Sequence, residues 1–321
     1  MLLTHGASDA ALPPVALTVG NFDGIHCGHR AMLQRLVSEA SKRTLVSCVL
    51  TFEPHPLEFF ERMRQQAGES VQRPAPTRLS SLREKLELLA AHQVGRIHIQ
   101  RFAKPFAALE PETFVEQVLA KRLKARWILI GEDFRFGAKR AGDVPLLKNL
   151  GRRYGYEVET LPAVTQAGTR VSSSAVRAAL AAGDLASAEA LLGRRYSISG
   201  RVVHGRKLGR ELGFATANVQ LKHNRPPLTG IYAVRVHGIG ETARAAVASL
   251  GVRPTITASG RAVLEVHLFD FSGDLYDAHL RVEFLHKIRD EEKYSDLETL
   301  KAQIVRDCEA AKSFLLESRN A

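Results

Sequence analysis

The sequence predicts a two-part fold: an N-terminal α/β domain with a doubly wound parallel sheet, then a small antiparallel β-barrel with a closing helix. Three observations predict it. Up to about residue 185, short apolar runs alternate with segments of helical period, the pattern of a parallel sheet with crossover helices. After about residue 190 the apolar runs follow one another, separated by Gly, Pro and Asn turns, as in a small barrel. A last stretch carries apolar residues at steps of three and four.

In the first part, "VALTVG" (15–20) reads as a strand, and residues 28–42 as a helix through Met32, Leu33, Leu36, Val37 and Ala40. "TLVSCVLTF" (44–52) is the next strand, and residues 62–77, polar with Pro and Gly, read as a mobile surface loop. "LSSLREKLELLAAH" (79–92) is a serine-capped helix and "RIHIQRF" (96–102) a strand. "PETFVEQVLAKRL" (111–123) is a helix opened by proline. "RWILIG" (126–131), a helix over 143–155 and the strand "YEVETLP" (156–162) complete the pattern. In the second part the strands are "YSISGRVV", "IYAVRV", "ARAAVASLG", "AVLEVHLFDF" and "AHLRVEFLHKI". Residues 295–316 form the closing helix, with Leu297, Leu300, Ile304, Cys308, Ala311 and Leu315 on one face. The boundary falls near 186–194, giving domains over 1–188 and 189–321.

The formal net charge of +11 favours anionic partners. Cys27, Cys48 and Cys308 are odd in number, widely spaced and without CxxC, which argues against a disulfide framework or zinc ribbon and for the reducing cytoplasm. The first 20 residues carry no basic run, and no stretch of about 18 apolar residues exists, so neither a secretory signal nor a membrane span is expected.

In "TVGNFDGIHCGHR" (18–30), His26 and His29 sit where a strand gives way to a helix, among glycines that let backbone approach a ligand. A helix N-terminus offers unpaired N–H groups, and imidazoles add donors, so this turn can grip phosphate oxygens. Metal ligation by His26, Cys27 and His29, or a structural role, stays open on these residues alone. "TFEPHP" (51–56) sets His55 beyond the second strand, and "GEDFRFG" (131–137) brackets two aromatic residues between glycines, as a flat ring ligand would use. "VSSSAVR" (171–177) places three hydroxyls at a helix start and Arg177 one turn in.

"GNFDGIHCGH" and "VSSSAVR" resemble the HxGH and (I/V)SSTxxR signatures of the adenylyl-transferring nucleotidyltransferase superfamily. With "TFEPHP" and "GEDFRFGAKRAGD", the first part resembles the FMN adenylyltransferase module of bacterial FAD synthetases. The resemblance implies that His26, His29 and Arg177 bind ATP phosphates, and that His55 is the histidine of TFxPHP. It also implies that Asp133, Phe134 and Phe136 form the flavin-side loop. Gly20, Phe22 and Asp23 belong to the first motif, and Ser172, Ser173 and Ser174 to the second. Ser174 stands where threonine is usual and keeps the hydroxyl. FMN carries a phosphate of roughly −1.5 to −2 charge, already a nucleophile, so alignment and stabilisation of departing pyrophosphate are what such a site must supply.

The run "GRVVHGRKLGRELGFATANVQL" (200–221) is a basic, glycine-spaced loop containing Gly205, Lys207 and Gly209, with no Walker A pattern anywhere in the chain. Thr216 and Asn218 follow as neutral oxygen donors suited to magnesium or to capping a turn. In "RAVLEVHLFDFSGDLYD" (261–277), alternation puts Val263, Glu265, His267 and Phe269 on one face. Glu265 is either a solvated charge or a general base for a hydroxyl.

These runs resemble the riboflavin kinase module. "GRELGFATAN", "GIYAV", "GVRPT", "EVHLFDF" and "GDLYD" stand for its GRxLGxPTAN, GxYAV, GxRPT, E-x-H/F-L-x-D-F and GDLYG. The match implies magnesium and ATP phosphates on Thr216 and Asn218, catalytic base Glu265, and a flavin-site arginine at Arg289. Ala215 replaces the proline of PTAN, and Asp277 a glycine. The whole resemblance implies that riboflavin and ATP give FMN and ADP, then FMN and ATP give FAD and pyrophosphate, each step with Mg2+. No nucleic acid and no membrane are expected as partners, and a weak homo-oligomer is left open. The rivals are a single-activity nucleotidyltransferase with another phosphorylated acceptor, and an RNA-binding protein gripping a backbone with its basic barrel. Against the latter, the barrel part lacks the aromatic cluster of a base-stacking platform.

Overall fold

A computed structural model describes residues 1–6, 12–69, 74–166, 168–205, 213–221, 225–253 and 261–320. The chain divides into two compact units. Met1–Pro76 with Leu82–Val171 form the first, and Ser172–Ala321 with Thr77–Ser81 the second.

The first unit holds β1 (Leu2–His5), β2 (Val15–Val19), α1 (Cys27–Lys42), β3 (Val46–Glu53), α2 (Pro56–Gln66), α3 (Leu82–Ala91) and β4 (Arg96–Arg101). It continues with α4 (Lys104–Ala107), α5 (Pro111–Phe114), a π-helical turn (Val115–Arg122), β5 (Ala125–Gly131), α6 (Val144–Tyr154) and β6 (Glu157–Leu161), then the short pair β7 (Thr165–Gln166) and β8 (Thr169–Arg170). The six-stranded sheet runs β1-β4-β3-β2-β5-β6, with every neighbouring pair parallel. One face packs Leu33 and Leu36 of α1 and Leu89 of α3 on Ala16, Val49, Ile97, Trp127 and Leu129. The other packs Val115, Val118 and Leu119 of the π turn and Leu147 and Leu150 of α6 on Leu17, Leu50, Ile128 and Ile130. Both faces are covered, which is why β2 and β5 read as continuous apolar runs rather than alternating ones.

From β2 the chain winds outward through β3 and β4, then returns to place β5 on the other side of β2. The strand order therefore reverses between β2 and β5, and a crevice opens beyond their carboxyl ends. In doubly wound sheets such a reversal is where ligands bind.

The second unit holds α7 (Ser173–Ala181), α8 (Leu185–Leu192), β9 (Ser197–Val203), β10 (Ala217–Val219), β11 (Gly230–His237), β12 (Arg244–Arg253), β13 (Arg261–Leu268), β14 (His279–Arg289) and α9 (Leu297–Asn320). The strands close into a barrel in the order β10-β13-β12-β11-β14-β9, with β10 pairing back to β9. Alternation sends Tyr232, Val234, Val236, Leu264, Val266 and Phe284 inward, all at 1% exposure or less. Outward, Ile231, Ala233, Val247 and Phe269 are covered by Cys308, Ala311 and Leu315 of α9. The expected closing helix is present, although Leu297 at its start is 54% exposed.

The structure corrects several element expectations. Residues 62–66 are not loop but the end of α2, capped by His55 and opened by Pro56. Residues 111–123 are not one α-helix: after Phe114 the turn widens to π spacing, with Leu123 N donating to Val118 O and Lys121 paired with Glu116 five residues back. The strand β1 and the helix α8 went unforeseen, and the domain boundary placed at 188/189 falls within α8.

Candidate active sites

In the first unit the turn after β2 is locked by its own apolar side chains. Phe22 and Ile25 take left-handed φ values of 49° and 41°, unfavourable for L residues, and Gly24 takes 80°. Phe22 and Ile25 are 1% and 0% exposed, and their burial in the core under α1 offsets that backbone cost. Gly20 lies against the Phe22 ring, where a Cβ would come within 3.1 Å, and Gly28 against the His26 ring.

His26 is the N-cap of α1, its Nδ1 accepting from His29 N at 3.3 Å. The two imidazoles stack with centroids 3.7 Å apart and 16° between planes. Face-to-face rings aim their nitrogens in parallel rather than at one ion, so the metal reading of His26, Cys27 and His29 loses its geometry. Asp23 is buried beneath the same turn. Burial, then the neighbouring His26 and Lys85, hold the His29 pKa well below the usual histidine value. His29 is therefore neutral at pH 7, and its Nδ1 is buried without a hydrogen-bond partner.

Next to this turn opens a cavity of about 580 Å³, lined by Gly20 and Asn21 on one side and by Phe52, Phe60, Phe102, Phe106 and Phe114 on others. Phe134 and Phe136 complete it, their rings stacked at 5.7 Å. The 137–142 loop is pinned by the Phe136–Gly142 bridge. Gly137 at φ 73° touches Pro111, and a Cβ at Gly142 would meet the Phe136 ring at 2.7 Å. Arg135, Lys139 and Arg140 add positive charge to the lining, and Asp133, also there, pairs with Arg170 at 2.6 Å. His55 does not line this cavity; it is buried as the N-cap of α2, accepting from Leu57 N at 3.2 Å.

Sequence reading found the 131–137 loop but missed the phenylalanines contributed by β3, the residue after β4 and the helices, as well as Lys85. The available signal was position: Phe52 is the second-last residue of β3 and Phe102 comes directly after β4, both at carboxyl ends of strands.

In the second unit, Ser172 caps α7, its Oγ accepting from Ala175 N at 3.1 Å, with Ser173 and Ser174 in the first turn. Arg177 Nε donates to Thr77 O at 2.6 Å.

On the barrel, a cavity of about 610 Å³ is lined by Gly205, Ala215, Thr216, Asn218, Asp274 and Tyr276, among others. A Cβ at Gly205 would collide with the Asn218 carboxamide, so glycine lets the chain after β9 lie directly on Asn218. Asn218 pairs with Glu265 across β10 and β13, which puts the two side chains on one face. Glu265 itself is not among the residues lining the cavity. Thr216 and Asn218 supply neutral hard oxygens and Asp274 a carboxylate, a donor chemistry that fits magnesium together with phosphate. Lys207 and Gly209 lie outside the described residues.

Arg289 ends β14 and forms a two-pronged ion pair with the buried Asp307 of α9, at 2.8 and 2.6 Å. The bond to Asp307 raises its pKa above the usual arginine value. The side chain thus fastens α9 to the barrel.

A family model described as FAD synthetase matches residues 8–175, and one described as riboflavin kinase matches residues 192–315. The bifunctional riboflavin kinase/FMN adenylyltransferase of Escherichia coli (strain K12) is 46% identical over 97% of this chain and 96% of its own length. That of Haemophilus influenzae is 42% identical over 98% and 99%. The crystal structure of a macrolide-efflux protein from Streptococcus pneumoniae superposes with a TM-score of 0.78 at 29% identity, covering 96% of this chain and 97% of that one. Among the described residues no helix is long and apolar enough to cross a membrane. With both halves matched and the identity sustained over nearly the full length, the chain belongs to the bifunctional riboflavin kinase/FMN adenylyltransferase family.

Proposed function

We propose that the barrel part, residues 189–321, phosphorylates riboflavin with ATP, and that residues 1–188 transfer an adenylyl group from a second ATP to the FMN formed. The observation that carries the second step is the phenylalanine-walled cavity at the β2/β5 reversal, lined by Gly20 and Asn21 of the turn that leads to the stacked histidines. A flat, largely apolar isoalloxazine ring suits those walls, and a phosphate tail suits the basic residues of the lining.

In adenylyl transfer an FMN phosphate oxygen attacks the α-phosphorus of ATP. A new P–O bond forms, the bond to the β-phosphate breaks, and pyrophosphate leaves. His26, neutral His29 and Arg177 are assigned to the ATP phosphates, stabilising that departing charge through hydrogen bonds. Gly20, Phe22 and Asp23 shape the turn, and Ser172, Ser173 and Ser174 present a helix start to an anion. His55 orders the entry to α2, and Asp133, Phe134 and Phe136 hold the flavin.

In the kinase step the riboflavin 5′-hydroxyl attacks the γ-phosphorus, ADP leaves, and Glu265 accepts the hydroxyl proton. Gly205, Lys207 and Gly209 belong to the loop assigned to the nucleotide, and Arg289 supports the flavin side by fixing α9. Magnesium would be held by Thr216 and Asn218, where it supplies neutralisation of phosphate charge.

The rivals fit less well. A single-activity nucleotidyltransferase leaves the riboflavin kinase match unused, and no finding here favours RNA. ATP consumption and the free thiols support a cytoplasmic location. Chromatography of products from riboflavin, ATP and magnesium tests the proposal: FMN should appear first and FAD after it, and a chelator should stop both. Protein that yields neither flavin product overturns it.

A further inference from the structure

Lys85 belongs to none of the motifs that define the adenylyl-transfer site. It projects from α3 and is 3% exposed. Burying an ammonium costs several kcal/mol unless polar groups receive it, so its surroundings are informative. Nζ donates to Thr51 Oγ1 at 3.4 Å, and Thr51 Oγ1 donates to the Asn21 carbonyl at 3.2 Å. Thr51 is fully buried in β3, and Gly20 N donates to Leu50 O at 3.0 Å. A hydrogen-bonded path therefore runs from α3 through the neighbouring strand to the Gly20–Asn21 turn, which lines the phenylalanine-walled cavity.

The same ammonium acts on His29. The titratable groups that act on that ring are His26, from its own turn, and Lys85, from α3. Phe22 packs on it at 4.9 Å and carries no charge. A fixed cation beneath the turn disfavours protonation of His29 and adds positive potential where phosphate charge arrives. At 3% exposure Lys85 is too buried to touch that phosphate itself.

We propose that Lys85 is a positioning residue for adenylyl transfer: its ammonium fixes the Gly20–Asn21 turn through Thr51 and sets a positive charge close enough to act on His29. This rests on the assignment of adenylyl transfer to the first unit.

The test uses the full chain with Lys85→Met, Lys85→Arg and Thr51→Val, assayed separately for FMN to FAD and for riboflavin to FMN. Histidine-labelled NMR follows the His29 titration. Lys85→Met should lower kcat/KM for FAD formation on the order of 10- to 100-fold and move the His29 titration upward in pH. Lys85→Arg should restore most of both, and riboflavin phosphorylation should not change. Thr51→Val keeps the charge but breaks the path, so it should lower the rate without moving the titration. It also serves as the informative variant should Lys85→Met not fold. An unmoved His29 titration with normal FAD formation in Lys85→Met overturns the inference, as does a fully active Thr51→Val. If the wild-type chain makes no FAD from FMN, it is the assignment of adenylyl transfer that fails instead.

Discussion

Glu265 and His29 are single side chains on different units, and their assigned chemistries separate cleanly. Glu265→Gln keeps shape but cannot take a proton, so FMN production from riboflavin should be lost while FMN still becomes FAD. His29→Ala should do the reverse. Equal loss of both activities in either well-folded variant contradicts the two-site division. Asp277 illustrates a residue whose backbone matters more than its side chain. It stands where the family has glycine, and it takes φ 64°, a conformation costing an L residue on the order of 1 kcal/mol. Its ion pair with Arg201 spans 3.4 Å between side chains 82% and 63% exposed, worth about 0 to 1 kcal/mol. Asp277→Gly is therefore expected to be neutral or stabilising by less than about 1 kcal/mol in thermal denaturation. A larger loss would mean that the carboxylate has another task.

At the level of elements, strand β4 carries a polar column into the first unit's core. Arg96 and His98 are 1% and 0% exposed, and Thr4 of β1 bonds His98 Nδ1 at 2.9 Å. Burial, then Arg122 and Arg96, pull the His98 pKa down to about 4. An unfolded histidine titrates near 6.5, so the unfolded state binds the extra proton. The stability held above pH 6.5 should fall as pH drops towards 4, by on the order of 3 kcal/mol. His98→Leu should lose less melting temperature than the wild type between pH 7.5 and 4.5; an equal loss would sink this account. The two strands that sequence reading missed share a cause. β1 is four residues at a sheet edge, and β10 only three, too short for a periodic signal. α8 is apolar enough at Ala188, Leu191 and Leu192 to look like part of a boundary, yet Asp184 caps it and Gly193 ends it. Those two capping residues were legible and went unused.

For the whole molecule, the division of labour makes a prediction that no single site can. Glu265→Gln chains and His29→Ala chains should each fail to turn riboflavin into FAD. Mixed together, they should succeed, with FMN made by one chain and adenylylated by the other. A mixture that accumulates FMN but no FAD would show that FMN must pass between sites of one chain. The order of motifs along the sequence already implied both activities, because His26, His29, Thr216, Asn218 and Glu265 are short-range patterns that survive without coordinates.

The sequence by itself determined the fold class, the family and both reactions, since those depend on residue type and local spacing. Tertiary structure alone decided the phenylalanine walls, drawn from β3, the residue after β4 and three helices, because such walls form only when distant strand ends share one edge. It likewise decided that Asn218 and Glu265 share a face across paired strands, and that Lys85 lies buried against Thr51. Burial and register are properties of packed neighbours, and a linear pattern holds no record of which neighbour a side chain meets.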